Sequence, residues 1–91
     1  MLQLSFNRAD EGPISLVELR EGEAGILDRL DLPEDVAHRL MELGFLPGHL
    51  IRASSSAPSG DPRVFCVDGS EIALRRETAV HLIVRKLSES A

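Results

Sequence analysis

The sequence predicts a mainly β domain whose short strands curl into a partly closed barrel, with one helix inserted after the first strand. Three observations predict it. The run Arg39-Leu-Met-Glu-Leu-Gly44-Phe-Leu-Pro47-Gly48 ends a helix and turns at once into a strand. Asp68-Gly69 between two apolar runs marks a tight hairpin. A chain of 91 residues has room for a single thin core, and five strands of about five to eight residues hide their edges best by closing on one another.

The elements follow in order. Residues 1–12 are a lead-in, residues 13–87 the folded domain and residues 88–91 a polar tail. Between Pro13 and Gly22 the run Leu16-Val-Glu-Leu19 is too short for a full helix and reads as one helical turn, with Ser15 and Glu18 as a capping box. Ala24 to Leu30 is the first strand, with Ile26, Asp28 and Leu30 on one face and Leu27 and Arg29 on the other. Pro33 suits the first turn of a helix over about 33–43, and Glu34 and Asp35 complement the positive end of its dipole. Val36, Leu40 and Leu43 recur at i, i+4 and i+7 as its apolar stripe, and Asp35 and Arg39 are spaced to pair on the wet side.

Gly44 falls where a helix end needs positive φ, and Pro47-Gly48 turns the chain. His49 to Ser56 is a strand fraying into Ser54-Ser-Ser-Ala-Pro58-Ser-Gly60-Asp-Pro62, a loop. A two-residue turn at Asp68-Gly69 sets Val67 opposite Ser70, Cys66 opposite Glu71, Phe65 opposite Ile72 and Val64 opposite Ala73. Phe65, Val67, Ile72 and Leu74 then share the inner face. Glu77-Thr-Ala79 makes a short turn, and Val80 to Lys86 is the last strand, with Leu82 and Val84 inward.

Composition bounds the function. The net charge of −5 argues against nucleic acid as a partner, since phosphate binding calls for a basic surplus. One cysteine excludes an internal disulfide and fits a reducing compartment. No basic and apolar leader opens the chain, and no apolar run approaches the ~20 residues of a membrane span. A soluble cytoplasmic protein without direct membrane insertion is expected.

No catalytic constellation emerges. His38, His49 and His81 lie on separate elements without ligand spacing, and Cys66 faces outward beside Glu71. Asp28, Asp31, Glu34 and Asp35 are read as capping and solubilising groups, and Arg75-Arg76 with Arg85-Lys86 as a solvated basic face. Neither an enzyme nor a cofactor is indicated.

Taken together, Leu19, Gly22, Gly25-Ile26, Arg39-Leu40, Leu43-Gly44, Pro47-Gly48, Ala57-Pro58, Gly60-Asp61-Pro62, Gly69, Ala73-Leu74-Arg75, Ala79, Leu82 and Val84 resemble, in order and spacing, the FeoA family. These are small cytosolic proteins that accompany the FeoB ferrous iron transporter. The resemblance implies an SH3-like barrel and a non-enzymatic accessory protein docking on the cytosolic part of a FeoB-type transporter. The pattern is also similar to the C-terminal module of iron-dependent repressors, which implies the alternative of a regulator that binds a transition metal weakly through carboxylates and histidine. For a docking protein, two exposed segments are the candidate contacts. One is the loop residues Ala57, Pro58, Gly60, Asp61 and Pro62, whose prolines lower the entropic cost of binding. The other is the corner pair Phe45 and Leu46.

Overall fold

Asp68 and Gly69, at φ of 53° and 80°, form the two-residue turn that starts the sheet. The expected register holds through all five pairs, from Val67 opposite Ser70 to Arg63 opposite Leu74. The computed structural model describes residues 12–87, so the lead-in up to residue 11 and the tail at 88–91 fall outside it. In chain order the elements are β1 (Pro13–Ser15), a 3-10 turn (Leu16–Glu18), β2 (Ala24–Leu30), α1 (Glu34–Glu42), β3 (Leu50–Ser56), β4 (Arg63–Val67), β5 (Ser70–Leu74), α2 (Arg76–Ala79) and β6 (Leu82–Lys86). The strands form one antiparallel sheet in the order β1-β6-β2-β3-β4-β5.

The sheet has six strands rather than the expected five, and the inserted helix follows the second. The additional one is β1, three residues paired with β6 from Pro13 opposite Arg85 to Ser15 opposite Ile83. Three residues are too few to display a period of two, so the pairing comes from β6 and not from local pattern. The capping box forms as read. The Ser15 hydroxyl accepts from the Val17 N–H at 3.4 Å, and the Glu18 carboxylate accepts from the Ser15 N–H at 3.2 Å. The same hydroxyl donates to the Val80 carbonyl at 2.8 Å, which ties β1 to the entry of β6.

Leu27, Leu82 and Val84 point inward with Phe65, Val67, Ile51, Ala53 and Leu74, and Leu16 and Leu19 from the 3-10 turn and the residue after it join the same core. Ile72 and Leu30 pack against this core half-buried. The faces of β2 differ from a plain alternation. Its register against β6 shifts between Leu27 and Arg29, so Asp28 is a bulge, and Leu27 and Leu30, three apart, both reach the core. Arg63 ties β4 to the 3-10 turn by donating to the Val17 carbonyl at 3.1 Å, and its guanidinium lies 5.4 Å from the centroid of the buried Phe65 ring.

The helix departs from its expected stripe at one position. Ala37 and Leu40 are buried and Val36 is half-buried, but Leu43 is 49% exposed. Helical geometry ends there. Gly44, at φ 113°, is the C′ residue of a Schellman motif, in which the Gly44 N–H donates to Met41 and the Phe45 N–H to Leu40, at 3.0 and 3.1 Å. The apolar contact belonging to that motif joins the residue after C′ to the penultimate turn, so Phe45, not Leu43, continues the buried face beside Leu40. The Asp35–Arg39 ion pair does not form within 4.0 Å; both side chains are exposed.

Two substitutions test this packing. Leu40→Asp places a charge in the core and is expected to cost about 3 kcal/mol or more, or to prevent folding; a soluble variant with near-normal melting would contradict the packing of α1. Gly44→Val is expected to lower stability by about 1–2 kcal/mol in denaturant unfolding, because a β-branched residue is strained at positive φ. A Cβ there would also lie 3.3 Å from the Asp68 carboxylate and 3.5 Å from the Val67 side chain.

Candidate functional site

The residues expected to meet a partner fall into two groups, and the structure puts them at opposite ends of β3. The corner 43–49 precedes that strand and the loop 57–62 follows it. Seven residues of strand separate them by about 20 Å.

At the corner, the Leu46 N–H donates to Gly44 and the His49 N–H to Leu46, at 2.8 and 2.9 Å. The Gly48 N–H donates to Leu27 at 2.7 Å, and the Leu27 N–H donates to His49 at 3.0 Å. The turn is thereby fastened to β2, and the His49 Nδ1 atom, 3.7 Å from an Asp68 carboxylate oxygen, links it to the hairpin turn. Phe45 is 0% exposed and is corrected from contact residue to core residue, since the Schellman geometry drives its ring inward. Leu46 stays half-buried. Periodicity assigned Leu43 to the core, and Leu50 (43% exposed) carried no signal; both belong to the solvent-facing apolar set at this end. The signal that finds Leu43 is the glycine after it, which ends the helix before its last apolar position can turn inward.

The loop 57–62 is braced rather than loose. The Ala57 N–H donates to Pro62 at 3.2 Å, the Gly60 N–H to Ala57 at 2.7 Å, and the Ser59 hydroxyl to the Asp61 carbonyl at 3.0 Å. The Asp61 carboxylate accepts from the Arg76 N–H at 2.8 Å, capping the first turn of α2. Pro58, Asp61 and Pro62 are exposed, and Ala57 and Gly60 are half-buried. Asp61 thus has a structural use that the sequence reading did not assign.

Among the described residues, no three His, Cys, Asp or Glu side chains group so as to hold one metal ion. The outer face of α1 gathers Glu34, Asp35, His38, Arg39 and Glu42, all exposed. Asp28 and Asp31 both pair with Arg29, at 3.0 and 3.2 Å. Cys66 lies on the outer sheet face opposite Glu71, in a shallow depression with Glu21, Gly22 and Arg52. No helix of the described residues is long and apolar enough to cross a membrane.

A six-stranded antiparallel sheet curled over one core, with a helix between its second and third strands, defines an SH3-like barrel. A family profile for the FeoA domain matches residues 14–86, and the chain belongs to the FeoA family. A curated relative is the Fe(2+) transport protein A/Fe(2+) transporter FeoB fusion protein of Porphyromonas gingivalis, 30% identical over 76 residues. The match covers 84% of this chain and 9% of the fusion, so the chain spans only a small part of that protein. The solution structure of the FeoA protein from Chlorobium tepidum superposes with a TM-score of 0.79 at 28% identity, over 86% of this chain and 74% of that one. The FeoA of Stenotrophomonas maltophilia, solved in complex with zinc and described as a prokaryotic SH3 domain protein, gives 0.71 at 27% identity, over 85% and 99%.

Two measurements probe this region's local chemistry. Asp61→Ala removes the α2 cap and is expected to cost about 0.5–2 kcal/mol in denaturant unfolding. The Glu23 carboxylate accepts from the Arg20 N–H at 2.8 Å and pairs with the Lys86 ammonium at 3.0 Å. The backbone hydrogen bond first, then the lysine, hold its pKa below the ordinary carboxylate range. A depressed folded-state pKa stabilises above the unfolded value, and that contribution is lost as pH falls through the folded one. Glu23→Gln should therefore be less stable than the parent at neutral pH, with the two acid-unfolding curves converging in the acid range.

Proposed function

We propose that this chain is a non-enzymatic, cytoplasmic accessory protein of ferrous iron uptake that docks on the cytosolic part of a FeoB-type transporter. One observation carries the reading: in the Porphyromonas gingivalis relative, the segment similar to this chain belongs to the same polypeptide as the transporter. Covalent fusion holds two modules at high effective concentration, an arrangement that suits partners which otherwise meet by diffusion. The end of the barrel carrying Leu43, Leu46 and Leu50 is the preferred contact, because exposed apolar side chains on a rigid turn anchor an interface at low entropic cost. The loop Ala57-Pro58 with Gly60, Asp61 and Pro62 lies too far away to share a small footprint with it. It serves as a second contact only for a partner that spans β3.

The zinc held by the Stenotrophomonas maltophilia relative favours a second reading, a transition-metal-responsive module. Anaerobic calorimetry with Fe²⁺ and Zn²⁺ separates the two. A metal-responsive module binds in the absence of the transporter, whereas a docking module needs no metal to bind the transporter's cytosolic domain.

The docking test is direct. The full chain is titrated onto the purified cytosolic domain of the transporter, and Leu43→Ser and Leu46→Ser are compared with Pro58→Ser. The corner variants are expected to weaken binding roughly tenfold, as truncated anchors do, with unchanged melting temperature. Equal affinity for all three variants and the parent would remove the corner from the interface. Absence of binding by the parent chain would remove the docking reading itself.

A further inference from the structure

The outer face of the sheet holds a second set of side chains, continuous with the corner through Leu50, that the central core cluster does not use. Register places them on a grid. Arg85 of β6, Ile26 of β2 and Leu50 of β3 stand in one row. In the next row Ala24 lies opposite Arg52, Arg52 opposite Cys66 and Cys66 opposite Glu71. Leu87 extends that row beyond β6, its N–H donating to the Ala24 carbonyl at 2.9 Å. Within each strand these residues are two apart and so share the outward face. The result is an apolar strip of exposed Leu50 and Leu87 and half-buried Ile26, running over the buried Ala24, with an arginine at two opposite corners. Leu50 and Leu87 are 43% and 44% exposed.

Among the described residues, neither Arg52 nor Arg85 has a carboxylate within 4.0 Å. One Arg52 nitrogen donates to the Gly22 carbonyl at 2.9 Å, which leaves most of its donors for an incoming group. The neighbouring Lys86 is already neutralised by Glu23. In a chain of net charge −5, with Glu34, Asp35 and Glu42 along α1, the two arginines give this face an attraction for carboxylates that α1 lacks, and Glu21 and Glu71 beyond Arg52 bound it on the β4–β5 side. The two arginines sit two strands and two residues apart, a diagonal of about 12 Å at ordinary sheet spacings. Two turns of α-helix rise about 11 Å.

We propose that this face receives an acidic amphipathic helix of the transporter's cytosolic region. Carboxylates about two turns apart meet Arg52 and Arg85, and the apolar side chains between them lie on Ile26 and Leu50. The proposal rests on the docking reading above and supplies the surface and chemistry that reading leaves open. It is continuous with the corner through Leu50.

The test uses the full chain and the purified cytosolic domain, at low and moderate salt. Arg52→Glu with Arg85→Glu is expected to weaken binding by roughly tenfold or more and to flatten its salt dependence, since the reversed charges face carboxylates. Ile26→Ser is expected to weaken binding while keeping the salt dependence. Arg39→Glu, on the outer face of α1, is expected to leave binding unchanged. Melting temperatures equal to that of the parent keep the comparison fair for the arginine variants even if Ile26→Ser is destabilised. If the parent binds and the double arginine variant binds equally well, this face is not the interface while docking stands. If the parent does not bind, both fail. Binding to phosphatidylglycerol vesicles, or self-association in sedimentation, that the double arginine variant abolishes while binding to the domain is retained would assign the face to a lipid surface or a second copy and overturn the proposal.

Discussion

The Phe45 amide donates to the carbonyl of Leu40, five residues back, and that bond aims everything that follows α1. It requires positive φ at Gly44, and the Val67 and Asp68 side chains lie within van der Waals distance of where a Cβ would sit. The corner is therefore closed sterically as well as conformationally. With the helix ended there, Phe45 enters the core beside Leu40, and the next residues are delivered to β2 through the Gly48–Leu27 and Leu27–His49 hydrogen bonds. Helix, second strand, third strand and hairpin turn thus meet within one short segment. A chain of this size, with only three phenylalanines, gains its specificity from such shared junctions more than from core volume.

The same geometry that buries one side chain exposes its neighbours. A Schellman end reverses the chain, so Leu43 before the glycine and Leu46 after it face solvent while Phe45 does not. An apolar surface next to a rigid turn is then a by-product of ending the helix, and its position is fixed as firmly as the core beneath it. Beyond Leu50 the surface passes onto the sheet, where pleating segregates Ile51 and Ala53 inward from Leu50 and Arg52 outward. Binding groups on a strand inherit the precision of the ladder that holds them.

Most of this was legible in the sequence wherever a short rule has only one geometric solution. Asp68-Gly69 admits one register, and Ser15 with Glu18 admits one capping arrangement; both form as read. Legibility fails where a residue's environment is set from outside its own segment. β1 exists because β6 offers it an edge, and Asp28 bulges because β6 changes register there. Helical periodicity placed Leu43 inside because a period carries no information about where a helix stops. Of the candidate contacts, Leu46 kept partial exposure, Phe45 was taken by the core, and Asp61 proved to hold the first turn of α2. Residue type alone does not say which of several loop side chains the fold itself consumes.

The bulge in β2 has a consequence for how this domain tolerates changes in length. Leu27 and Leu30 both reach the core at an odd spacing, which an uninterrupted strand forbids; the extra residue at Asp28 shifts the phase between them. Losing that one residue would return the two leucines to a spacing of two, which a regular strand keeps on one face, and would leave Arg29 and Leu30 paired with Ile83 and Leu82. The segment 57–62, whose ends are tied by the Ala57–Pro62 hydrogen bond, stands outside both core faces, and residues added between those anchors shift no phase. Relatives of this chain should therefore differ in length most freely at the β3–β4 connection, and within β2 only by gain or loss of the bulged residue, which changes neither the inward leucines nor their pairing with β6.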